Sequence, residues 1–185
     1  MKSRFVLVLV LPLLALAGCK KSAGKDISQW KELSAQDGDF KVIMPPDPKR
    51  QTQPATIPGG GTVNGTVYEA SGTDWSFLAG WVDLGASRGY DFEAGMNSTA
   101  QQFDGKVTEK ENIVVNGYSG VEFTMSINKP VKGTAVERII YVNLPEKNIN
   151  RVYLLMGAGT KIAKSDATVR KLFDSFEMKL PKGPN

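Results

Sequence analysis

The sequence predicts an α+β domain: a mainly antiparallel β-sheet flanked by two or more helices. Three observations lead there. Strand-like runs come in pairs joined by turn signals, at Asn116-Gly117 and at residues 145–149. Apolar residues take helical spacing in two places, Phe92/Met96/Ala100/Phe103 and Val169/Leu172/Phe173/Phe176. Apolar content is ordinary for a globular chain, so a core forms without staples. Hairpins combined with amphipathic helices bury their apolar faces by stacking in layers.

The elements follow in order. Residues 40–44 form a short strand, stopped by Pro45, Pro46 and Pro48, because proline cannot donate to a ladder and restricts the residue before it. Residues 51–61 hold two prolines and three glycines and read as a loop. Residues 62–71 are strand-like, and 72–74 turn the chain into the next strand. There Trp75, Phe77, Ala79 and Trp81 alternate onto one face, while Leu78, Val82 and Leu84 make the other face apolar. A strand apolar on both faces is expected to be central and covered on both sides.

At Asp91, a good cap, the period changes to that of a helix, which Gly105 stops. Residues 107–115 and 118–127 pair through Asn116-Gly117, which suits a type I′ turn. Residues 136–144 and 150–156 form a second hairpin. A last helix starts near Ser165 or Asp166, either of which can cap it, and residues 176–180 add a short strand.

The N-terminus carries an address. Lys2 and Arg4 precede a thirteen-residue apolar run, residues 5–17. Spanning a bilayer as a helix takes roughly 20 apolar residues, so the run fits a secretory signal. The run leads into Leu16-Ala17-Gly18-Cys19, which holds the chain's one cysteine. This ending resembles the bacterial lipobox. The resemblance implies cleavage between Gly18 and Cys19, a diacylglyceryl thioether on Cys19 and an acylated new amino terminus. It also implies anchoring to a membrane without spanning it. The thiolate is the nucleophile that takes the lipid, so no other residue type serves there. Each buried methylene contributes ~0.8 kcal/mol, and several chains together hold firmly.

The expected organisation is a signal peptide at 1–18, a lipidated tether at 19–27 and one domain at 28–185. The tether lysines Lys20, Lys21 and Lys25 either touch anionic headgroups or only keep the tether solvated. Lys20 in place of an aspartate favours the outer membrane's periplasmic face in a Gram-negative cell, and otherwise the outer face of the cell membrane.

Loss of Lys2 and Arg4 with the signal lowers Lys+Arg from 23 to 21 against 19 Asp+Glu, a net charge of +2. That balance gives no argument for nucleic acid, and no basic stripe with interleaved aromatics supports one. The chain has no histidine, which removes Ser-His-Asp and Cys-His catalysis and histidine metal clusters. No cofactor and no metal are expected. Asp37-Gly38-Asp39 is the one tight acidic group, and it lacks the other ligands of a calcium loop. It reads best as a solvated turn.

Asp74, Asp83, Glu122 and Glu137 are candidates for a carboxylate pair such as glycoside hydrolysis uses, although sequence alone brings no two together. Trp75, Trp81 and Tyr90 form a possible binding surface, against the plainer reading that they are core.

Several segments together resemble PsbP/Mog-type domains: Phe40-x-Val42-x-Met44-Pro45, the aromatic strand 75–82, the Asn-Gly hairpin, Arg151-Val152-Tyr153 and Phe173-Asp174-Ser175-Phe176. The resemblance covers roughly residues 38–180 and implies an α/β/α sandwich. Members of that family are mostly binding or assembly factors without a common active site, so it implies no catalytic residue. The expected function is a non-catalytic, membrane-anchored binding or assembly module with an envelope protein as partner. The alternatives are a carrier of a small ligand or lipid and, third, a carboxylate-based hydrolase.

Overall fold

The structure, a computed structural model, describes residues 8–9, 26–57, 61–85, 89–130 and 132–183. Its strands are β1 (Val8–Leu9), β2 (Lys31–Ala35), β3 (Phe40–Met44), β4 (Lys49–Ile57), β5 (Gly61–Ser71), β6 (Trp75–Asp83), β7 (Lys106–Val115), β8 (Tyr118–Ile127), β9 (Gly133–Leu144), β10 (Ile149–Gly159) and β11 (Glu177–Met178). The helices are α1 (Phe92–Gln102) and α2 (Ala167–Asp174). Eight strands form one antiparallel sheet in the order β1-β4-β5-β6-β10-β9-β8-β7, and β11-β3-β2 form a second, smaller one.

This architecture corrects the expected fold class. The protein is mainly β, not an α+β sandwich with flanking helices, and the α/β/α layering implied by the PsbP/Mog-type resemblance is not what is found. One face of the large sheet is covered by the small sheet together with α2. Two segments account for the difference. Residues 49–57, largely expected to be a loop, form β4 and pair with β5 from Lys49↔Glu69 to Ile57↔Gly61. Pro54 is tolerated there because β4 lies near the sheet's margin, where one side of the strand needs few donors. Residues 31–35 form β2, whose mixed Lys-Glu-Leu-Ser-Ala pattern buries one residue fully, Ala35.

β5 to β10 and the two helices lie where the pattern put them, whereas β1 falls inside the expected signal and the last strand is shorter, Glu177–Met178. Trp75, Phe77, Ala79 and Trp81 join one core, with Phe40, Tyr153, Leu155 and Phe173. Leu78, Val82 and Leu84 join the opposite core, with Met96, Phe123 and Leu154. So β6, between β5 and β10, is covered on both faces. Asn116 and Gly117 both have positive φ, 50° and 79°, as the tight turn requires. Asp166, rather than Ser165, caps α2. α1 ends in a left-handed Asp104 (φ 49°). Gly105 serves closeness instead: a Cβ there would collide with the Ser126 carbonyl oxygen.

α1 leans on β7 and β8 at one end of the large sheet and on β1 at the other. The sheet therefore curls about the helix, and the face toward α1 is its concave side. β7 is the exposed outer strand. Lys106, Glu109, Lys110 and Glu111, with a bulge between Val107 and Glu109, guard it against strand addition. Among the described residues no helix is long and apolar enough to cross a membrane.

Candidate functional site

Gly18 and Cys19 lie outside the described residues. Val8–Leu9, within the expected signal, pair as β1 with Thr56 and Ala55 of β4. Asp26 caps a 3-10 turn (Ile27–Gln29), accepting from Ser28 N, and that turn opens the continuously described fold.

The three aromatics do not share a surface. Trp81 is buried at 5 % exposure, 5.9 Å from the Phe40 ring, and Trp75 lies half-buried 5.7 Å from Phe77. Tyr90 is on the opposite, concave side, against Phe92 (5.2 Å) and stacked on Tyr141 (6.2 Å).

The candidate carboxylates also separate. On the face toward the small sheet, Glu122 accepts from Arg138 (Nη2 2.9 Å, Nε 3.2 Å) and from Arg170 Nη2 (2.8 Å). Asp83 accepts two bonds from Arg151, Nε at 2.6 Å and Nη2 at 3.1 Å, while Arg151 Nη1 donates to Asp39 at 3.0 Å. Asp37 accepts from Arg50 Nη2 at 2.6 Å. The acidic turn thus holds arginines. Asp74 sits in the β5–β6 turn, where its carbonyl accepts from Thr160 N. Among the described residues no group of three or more His, Cys, Asp or Glu could hold a metal ion.

Glu137 is different. It lies on β9 between Phe123 of β8 and Met156 of β10, on the concave face, with 4 % exposure. Burial pushes its carboxyl up to about 8, against a hydrogen bond from Thr99 of α1 that acts the other way. Its Oε2 has no hydrogen-bond partner. Asp91 caps α1 by accepting from Ala94 N at 3.1 Å and so sets the helix over this patch. Tyr90 tucks beneath the first turn, and a Cβ on Gly95 would collide with its Oη. Burial, then the charges of Glu137 and Asp91, raise the Tyr90 phenol. The Tyr141 Oη is buried without a partner, and burial raises that phenol as well.

The patch is therefore a neutral carboxylic acid beside two neutral phenols, in an otherwise apolar core beneath α1. It is equipped to donate and accept hydrogen bonds to an uncharged polar group. The other carboxylate near it among the described residues, Asp91, is engaged in capping α1 through Ala94 N. Sequence reasoning named Glu137 and Tyr90 separately but missed Tyr141 and Thr99. The signal was there: Glu137 stands between Ala135 and Ile139 on the inward-facing alternation of β9.

No family model matches the chain, and no curated protein matches it significantly. The class the fold defines is a curled antiparallel β-sheet folded around one helix, with a neutral polar patch beneath that helix.

Proposed function

We propose that this chain is an exported lipoprotein of the cell envelope whose domain binds a ligand or partner without catalysing a reaction. The observation that carries the reading is Leu16-Ala17-Gly18-Cys19 at the end of a short basic-then-apolar N-terminus. Six residues separate Cys19 from Asp26, a reach of ~20 Å even when extended. Such a tether holds the domain against the lipid surface. Engagement of Glu122, Asp83 and Asp39 by arginines supports a structural, not a reactive, role for those carboxylates.

Between a carrier and an assembly factor that docks an envelope protein, the unpaired Glu137 Oε2 and Tyr141 Oη buried beneath α1 favour the carrier. Changing Cys19→Ser in the native cell tests the anchor. The expected result is an unprocessed chain that no longer takes metabolic palmitate label. A variant that is processed and labelled like the wild type would refute it.

A further inference from the structure

We propose that one end of the large sheet is a docking surface for anionic lipid headgroups, so that the anchored domain stands on the membrane in one orientation. The proposal deepens the lipoprotein reading and rests on it, because the anchor is what brings this end to the lipid.

The register of the sheet defines the end. Lys106 of β7, Ser126 of β8, Thr134 of β9, Gly159 of β10 and Trp75 of β6 form one row across five strands. The segments that leave this row are residues 72–74, 103–105, 128–130 with 132, and 160–161. They lie together: the Asp74 carbonyl accepts from Thr160 N, and the Phe103 carbonyl accepts from Asn128 N and Lys129 N.

These segments carry Lys129, Lys132 and Lys161, all exposed, and Lys106 is exposed in the row itself. Their acids are Asp74 and Asp104, the latter 3.9 Å from Lys129. Four lysines against two aspartates leave a charge of +2, as large as that of the whole chain beyond Gly18. Asp26 with Lys31 and Asp47 with Lys49, at the neighbouring chain entry and β3–β4 link, cancel. The turns at the opposite end have no such excess. Asn116-Gly117 is uncharged, and residues 145–148 hold Glu146 with Lys147.

The chain enters the fold at the lysine end. Trp30, just before β2, sits 4.9 Å from Phe77, two residues along β6 from Trp75. Gly38, in the far turn of the β2–β3 hairpin, lies against Trp81 instead. The hairpin therefore runs away from the lysines, and the 3-10 turn that precedes it stays at their end. That turn presents Ile27, a large apolar side chain 41 % exposed, which suits the boundary between headgroups and acyl chains.

Distance decides the orientation. Attraction of lysines to an anionic surface fades within about 10 Å. The two ends of β6 are eight steps apart, ~27 Å at ~3.4 Å per residue. A tether of six residues thus puts one end in the surface field and leaves the other outside it.

The test uses the full-length protein purified from its own cells and placed in vesicles of phosphatidylcholine, with or without phosphatidylglycerol. A water-soluble amine reagent labels the lysines. One digest then gives the labelling rate of each lysine and the mass of the N-terminal peptide. With phosphatidylglycerol present, Lys129, Lys132 and Lys161 should react about fivefold more slowly than in phosphatidylcholine alone, while Lys147 keeps its rate. Lys132→Glu with Lys161→Glu, both at exposed positions, turns the patch from +2 to −2. In that variant the protection of Lys106 and Lys129 should disappear.

An acylated Cys19 peptide with no protection of these lysines would overturn the proposal and leave the anchor standing. So would equal protection in both kinds of vesicle, protection of Lys147 instead, or protection that survives the charge reversal. An N-terminal peptide lacking acyl groups would sink the anchor, and with it the orientation proposed here.

Discussion

Replacing Glu137 by Gln asks whether a neutral acid sits beneath α1. The side chain is buried at 4 % exposure, and its carboxyl moves from the ordinary 4.5 to about 8. In that window the folded chain keeps a proton that the unfolded chain has lost. Stability therefore falls as pH rises from about 4.5 and levels off above about 8. At ~1.4 kcal/mol per pH unit, the full penalty is about 5 kcal/mol. That is a large share of a typical domain stability of ~5–15 kcal/mol. Gln is close in shape and carries no titratable proton, so Glu137→Gln removes the slope. Urea unfolding between pH 4.5 and 8.5 measures it, with the midpoint shifting at constant m. The wild type should lose several kcal/mol over that range. The variant should be flatter and more stable than the wild type at pH 8. A wild type already flat, or a variant with the same slope, would refute the assignment.

Three further perturbations probe the frame. Glu122→Gln strips the buried charge from between Arg138 and Arg170, both only partly buried, and leaves Arg138 with Asp174 at 3.8 Å; a loss of about 3 kcal/mol, the low end for breaking a buried pair, is expected by denaturant titration. Gly105→Ala drives a methyl group into the Ser126 carbonyl where α1 hands over to β7; a loss of ~1–3 kcal/mol is expected, and an unchanged melting temperature would contradict the close packing. Gly117→Ala forces an L-residue to φ 79° in the β7–β8 turn; ~1 kcal/mol should be lost, visible as faster amide exchange in that hairpin.

Much of the fold was legible because β6 and the two hairpins carry period-2 patterns with unmistakable turns. Asn116-Gly117 announced itself, and Trp75 to Trp81 sorted correctly onto one face. β4 was hidden because Pro54 and the glycines at 59–61 look like a loop, while the strand draws its stability from the ladder to β5 and not from its own composition. β2 was hidden because Leu33 and Ala35 are too few to show a period. The small sheet that covers one face with α2 depended on the unread β2, and the width of the large sheet on the unread β4. The polar patch was half legible. Glu137 stood out as an acid, and Tyr141 lies four residues further along the same strand and on the same face, but Thr99 and Tyr90 come from α1 and the segment before it, and only the packing of α1 on the sheet brings them there.

The account rests on a fatty anchor at Cys19. Weighing the N-terminal peptide of the protein extracted from its own cells tests this most directly. The account predicts a peptide that begins at Cys19 and is heavier by a diacylglyceryl group, with a further acyl chain where the amino terminus is modified. A peptide that still contains residues 1–18, or one that begins elsewhere with an unmodified thiol, would contradict it.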